Sequence, residues 1–273
     1  MHRLFIQNIA IKKFPCWRIK VHKTSKGIYL SVSETVEYLK RTSQLTVLVE
    51  GKDDQCVYRH IENKLSELDL DVLICNGRQN LLDIFSRRME FSGTPVVFLA
   101  DKDMWHFTGI PAEFNTGIIF TLGYSIENDL YLKDVFEELM SKSEKILFSC
   151  LVDEISRWQA FHVEEFSTKG MCNCDFHVNR ILQEQRLSSK HLEEICFKEA
   201  SHDLVNEIKE NYTRSIRGKT LFQMLARVLS ASDRESKYSR KNLIEMGAKL
   251  PNNAITILCN QIRENIKNLF KKT

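Results

Sequence analysis

Two short runs carry carboxylates in a pattern that could do chemistry. Thr46-Val47-Leu48-Val49 leads straight into Glu50-Gly51, and Pro95-Val96-Val97-Phe98-Leu99-Ala100 leads into Asp101-Lys102-Asp103. Residues 101 and 103 of an extended chain point to one side, so their carboxylates can face a single point. If the two runs are neighbouring strands, Glu50, Asp101 and Asp103 converge. Carboxylates crowded into one pocket repel, so they either hold a divalent cation or their pKa values rise. Hard oxygen donors of this kind suit Mg²⁺ or Mn²⁺, and Mg²⁺ keeps waters that a substrate phosphate can replace. Helix capping or a structural role for Glu50 is the competing reading at this stage.

The positioning elements are legible around these runs. Continuous apolar stretches fit strands covered on both faces of a parallel sheet, and Gly51 permits the sharp exit that a strand-to-helix turn requires. Spacing predicts strands over 45–49, 71–75, 95–100 and 117–121, with helices over 53–68 and 79–90 between the first three. Such a β-α-β-α-β succession implies a parallel sheet. Glu50 then stands at the carboxyl edge, where open α/β sheets place their ligands. Asn76-Gly77-Arg78 reads as a turn on that edge, with Arg78 within reach of a phosphate.

A hydrophobic strand ending in Glu50-Gly51, a crossover helix and a second strand ending in Asp101-x-Asp103 resemble the Toprim domain of topoisomerases, primases and OLD-type nucleases. The runs Gly123-Tyr124-Ser125-Ile126-Glu127-Asn128-Asp129-Leu130 and Arg217-Gly218-Lys219-Thr220-Leu221-Phe222 are similar to standalone Toprim-like effectors encoded beside an ABC-type ATPase in anti-phage defence. Asp129 departs from the aromatic often found there. The resemblance implies a Toprim-like sheet with flanking helices over 44–135. It adds Glu127 to the metal ligands Glu50, Asp101 and Asp103, and makes Lys219 a phosphate contact beside the catalytic acids. It further implies cleavage of nucleic acid (RNA such as tRNA, or DNA) as a toxic effector controlled by an ABC-type ATPase partner. The alternative is a non-catalytic sensor or scaffold subunit of that ATPase complex. The topoisomerase reaction is not expected, because no companion tyrosine domain fits in 273 residues.

The whole chain bounds these readings. Hydrophobic content of 43% and charged content of 27% are ordinary for a globular protein, and no run has the length of a membrane span. Eight cysteines at irregular spacing with no export signal lead us to expect a reduced, cytoplasmic setting. The net charge is +3, yet residues 1–33 hold seven basic side chains and no acid, while the remaining 32 basic and 36 acidic residues net −4. A basic extension over 1–43 can follow a phosphate backbone or dock on an acidic partner. It reads as a hairpin over 18–32 followed by a helix over 33–38 capped by Ser33.

From residue 136 onward a helical subdomain is expected, with helices over 145–161, 178–185, 189–212, 220–229 and 254–270. The stripe Ile255, Leu258, Ile262, Ile266 and Leu269 is read as internal packing, with a homodimer or partner contact as the lesser alternative. Gly218-Lys219-Thr220 is no P-loop, since Thr213 stands where that motif needs glycine. Cys172-x-Cys174 near His162 and His177 lacks the spacing of a structural zinc site.

Overall fold

The computed structural model describes residues 30–51 and 55–271. The hairpin expected over 18–32 and the basic stretch lie almost wholly outside these residues, as do Lys52, Asp53 and Asp54.

Four parallel strands form the centre: β1 (Thr46–Val49), β2 (Asp71–Ile74), β3 (Val96–Ala100) and β4 (Ile118–Phe120), in the order β2-β1-β3-β4. Every residue of β1 and β3 is buried, as sheets covered on both faces require. Successive side chains divide between two cores. Val47, Val49, Val97 and Leu99 face one layer; Leu48, Val96, Phe98 and Ala100 face the other. The second layer is supplied by α1 (Val32–Arg41), through Val36 and Leu39, and α3 (Arg78–Ser86), through Leu81, Leu82 and Phe85. The first begins with α2 (Gln55–Lys64), through Val57 and Ile61. Burying one such aliphatic side chain contributes roughly 1.5–3 kcal/mol, which is why strands of only three to five residues suffice.

Beyond β3 a single turn, α4 (Trp105–Thr108), precedes β4. Then come α5 (Ile126–Leu130), α6 (Lys133–Glu138) and the long α7 (Lys142–Lys169). Ser141 and Glu144 form a capping box at the start of α7, and Gly170 at φ 71 ends it. After these follow α8 (Val178–Ile181), a hairpin of β5 (Leu182–Gln183) and β6 (Arg186–Leu187), α9 (Ser189–Glu194), α10 (His202–Glu210), α11 (Tyr212–Ser215), α12 (Gly218–Leu229), α13 (Arg240–Lys249) and α14 (Asn253–Lys271). Their apolar faces join the core that covers the sheet. The α14 stripe Ile255, Leu258, Ile262 and Ile266 is buried within it. No helix among the described residues is long and apolar enough to cross a membrane.

Several boundaries differ from expectation for identifiable reasons. The first helix starts at Val32, not residue 33, because Ser31 and Glu34 make a capping box in which each accepts the other's backbone N–H. The second ends at Lys64, and Asp69 at φ 46 turns the chain back. The helix expected over 178–185 stops after one turn, since Glu184 takes the left-handed conformation that closes the β5–β6 hairpin. The stretch 189–212 is broken between α9 and α10 by Cys196 at φ 51 and by Ser201, which caps α10. Ser239 caps α13, a helix the apolar pattern did not predict.

Candidate active site at the carboxyl ends of the central strands

The chain leaves β1 to build β2 on one side and later places β3 on the other. The carboxyl ends of β1 and β3 therefore flank a topological switch point, the usual crevice of an open α/β sheet. Glu50 follows β1 and Asp101 follows β3, on strands paired in register. Glu50 Oε1 accepts the backbone N–H of Asp101 at 2.9 Å, so the two ends are tied by the carboxylate itself. Asp101 Oδ1 in turn accepts the N–H of Ile126 at 2.8 Å, at the first residue of α5.

Asp103 does not extend the strand. It sits at φ 48, its N–H donates to the Tyr124 carbonyl at 2.7 Å, and its Oδ2 receives Arg78 Nη1 at 2.8 Å. The expected extended pairing of residues 101 and 103 is thus replaced by a left-handed turn. Arg78 enters from the start of α3, donates also to the Asp101 carbonyl at 3.0 Å, and lies over the Trp105 ring at 3.9 Å. Burial pushes the Glu50 carboxyl up to about 7, helped by the negative charge of Asp103; Arg78 and the Asp101 N–H oppose that rise. The acidic pair therefore repels across the crevice, while one guanidinium offsets part of the charge.

Glu127 lies in the first turn of α5 and is 2% exposed. Its Oε2 accepts the Ser125 hydroxyl at 2.7 Å, while its Oε1 is buried without a hydrogen-bond partner. An unpartnered buried carboxylate oxygen is costly. The neighbouring residues brace the loop. Asn128 Nδ2 donates to the carbonyls of Thr213 and Ile216, both at 2.8 Å, and the Asp129 oxygens accept the N–H groups of Leu122 and Gly123, each at 2.8 Å. Lys102 turns away from the acids and donates to the Leu122 carbonyl at 3.0 Å. The run 125–129 thus combines one candidate site residue with two structural braces.

Lys219 is the second residue of α12 and lines a cavity of about 630 Å³ rather than the crevice between the strands. Gly218 before it packs on Ser125 and Glu127, which sets the start of α12 beside the acidic residues. Cys174 is 3.7 Å from the Tyr124 hydroxyl, and His162 meets the Trp158 ring edge to face, with centroids 4.3 Å apart. Arg78 was legible as a residue on this edge, but its pairing with Asp103 was not, because nothing in a turn sequence says which carboxylate it will meet.

Glu50 and Asp101 meet at the switch point, Asp103 follows on the next turn, and Asp101 reaches the N–H of Ile126, the residue before Glu127 with its unpartnered oxygen; hard oxygen donors of this kind suit a divalent cation. Among the described residues, no three His, Cys, Asp or Glu side chains are already grouped so as to hold a metal ion. The donor chemistry fits such an ion, with Arg78 standing as the positive charge on Asp103. No protein-family model matches the chain, and no curated protein is similar to it.

Proposed function

We propose that the chain is a Toprim-like, metal-dependent endonuclease that hydrolyses phosphodiesters of nucleic acid. The observation that carries this reading is the link across the switch point, where Glu50 and the Asp101 backbone are joined at 2.9 Å and burial, helped by the charge of Asp103, raises the Glu50 pKa. Glu50, Asp101 and Asp103, together with Glu127, would hold Mg²⁺ or Mn²⁺. Such an ion lowers the pKa of a bound water and polarises the phosphate.

The chain's own residues have separate tasks. Glu50, with a carboxyl poised near neutrality, can take a proton from an incoming hydroxyl or return one to the leaving oxygen. The N–H groups of Asp101 and Ile126 hold the two acids in place. Arg78 fixes Asp103 and supplies positive charge at the crevice. Lys219, carried by the helix that abuts Glu127, supplies a charge for a substrate phosphate outside the crevice.

The biological setting, a toxic effector of anti-phage defence released by an ABC-type ATPase, is supported by the likeness of the runs at 123–130 and 217–222 to such effectors. Co-purification with a co-expressed ABC-type ATPase from the same genome tests that part, and absence of a complex in every nucleotide state would remove it. For the chemistry, the full chain is incubated with labelled RNA and DNA in Mg²⁺, in Mn²⁺ and in EDTA. Cleavage that survives EDTA, or that survives Asp101→Ala/Asp103→Ala, would show that the acidic crevice is not the active site.

A further inference from the structure

The side chains of Lys219, Gln223, Arg227 and Ser230 recur at intervals of four, four and three residues, so they share one face of α12 and its end. That face does not pack into the core. It forms one wall of the 630 Å³ cavity, whose other walls are Asp175, His177 and Asn179 from the segment before and within α8, and Arg240 at the first turn of α13.

Three features give the cavity a polyanion-binding character. Lys219, Arg227 and Arg240 place three positive side chains along it, and among the described residues that line it the one acid, Asp175, is paired with Arg217 at 2.7 Å. Two walls are cross-linked: Arg227 donates to Asn179 Oδ1 at 2.8 Å and to the Glu184 carbonyl at 2.7 Å, and Gln223 Oε1 accepts the Val178 N–H at 2.9 Å. The Arg227 guanidinium is therefore held on a fixed frame and not on a loose surface chain. The cavity also starts at a defined place, since Gly218, next to Lys219, packs directly on Glu127. The Lys219 end of α12 is thus the end of the groove nearest to an acidic residue, Glu127.

We propose that this groove binds the phosphodiester backbone of a single-stranded nucleic acid and leads the strand to the carboxylates at the switch point. The volume is within the range of about 300–1,000 Å³ usual for ligand sites, and the line of spaced cations suits successive phosphates better than a single compact anion. Backbone contacts of this kind give affinity that falls with salt and carries little base preference. The inference deepens the nuclease reading and rests on it for the strand's destination, but binding can be measured without cleavage.

The test uses the full chain in EDTA, so that binding is read in the absence of metal-dependent cleavage. Fluorescence anisotropy follows labelled single-stranded RNA and DNA of one sequence, with ATP as the competing mononucleotide. Arg227→Glu/Arg240→Glu is expected to weaken strand binding at least about tenfold and to reduce the salt slope by about 1.4, the share of two phosphate contacts. Arg240→Glu alone and Ser230→Asp, both at the cavity rim, should each weaken binding with an unchanged melting temperature, which separates lost contacts from lost folding. Unchanged strand affinity in these variants, or no strand binding by the parent, would overturn the groove. Competition by ATP at concentrations equimolar with the strand would overturn it as well, by assigning the cavity to a mononucleotide. A protein that binds strands through these residues yet never cleaves them in Mg²⁺ would keep the groove and refute the nuclease.

Discussion

A Cβ built on Gly218 would stand 2.7 Å from Glu127 Cβ and 2.4 Å from Ser125 Oγ. The close approach joins the start of α12 to the first turn of α5, and it brings a helical element of the second half of the chain against the strand-end crevice. Gly218→Ala therefore forces either the helix or the Ser125–Glu127 turn to move. Overpacking of this type costs typically about 1–3 kcal/mol, which for a chain of this size is a fall in melting temperature of roughly 2–4 °C per kcal/mol. Thermal unfolding measures it; Gly218→Ala melting with the parent would mean that the contact yields without strain.

Glu127→Gln tests the same junction from the other side. Its amide oxygen can still accept the Ser125 hydroxyl, while an uncharged group replaces the buried oxygen that has no partner. Its NH₂ takes the place of the unpartnered oxygen and is itself unpaired there, so stability should change by no more than about 1–3 kcal/mol. The variant should also bind Mg²⁺ more weakly in calorimetric titration. A variant that is destabilised by several kcal/mol and keeps full metal affinity would make Glu127 a purely structural residue.

The parallel sheet was legible because it depends on continuous apolar runs, such as Val47–Val49 and Val96–Ala100, whose burial on two faces leaves little alternative; the strand order that makes the switch point was not. That Glu50 and Asp101 lie on neighbouring strands was only a condition in the sequence, because apolar runs do not say which strands pair. What the sequence could not show depends on single backbone torsions and on distant partners. Asp103 at φ 48 and Glu184 at φ 54 are non-glycine residues in the left-handed region, a choice that tertiary contacts impose and local composition does not advertise. The pairing of Arg78 with Asp103, and the reach of Asn128 to the carbonyls of Thr213 and Ile216, connect positions far apart in the chain, with no periodicity to betray them. Lys219 was singled out, but the face it shares with Gln223 and Arg227 gained meaning only from an opposing wall that comes from the segment around α8 and from α13.

The elevated Glu50 pKa makes stability depend on pH in a defined direction. The folded chain holds this proton up to about 7, against a usual carboxylate value of 4.5. Glu50 therefore contributes stability that is complete below about pH 4.5 and lost as the pH rises through 7. Glu50→Gln keeps an oxygen to accept the Asp101 N–H and removes the charge. In EDTA it should be more stable than the parent at pH 8, by about 3 kcal/mol at most, with the difference closing towards pH 4.5. It should also lose cleavage activity in Mg²⁺. A stability difference that does not change across this range would show that Glu50 carries an ordinary carboxyl.

Arg78 is the remaining control on that proton, and it acts in two ways that substitution can separate. Its guanidinium meets Asp103 at 2.8 Å and the Asp101 carbonyl at 3.0 Å, and it rests on Trp105. Its positive charge lowers the Glu50 pKa, against burial and Asp103, which raise it. Arg78→Ala removes both charge and fork, so the Glu50 carboxyl should titrate above 7 and the 101–103 turn should loosen. Arg78→Lys keeps the charge but offers neither the planar fork nor the ring stacking. The lysine variant should therefore restore the titration of Glu50 and leave the turn destabilised. Carboxyl ¹³C NMR in metal-free buffer follows the first property, and amide hydrogen exchange at Asp101–Asp103 follows the second. If Arg78→Ala leaves the Glu50 titration where it was, the charge at the crevice is governed by burial alone, and Arg78 serves only to shape the turn.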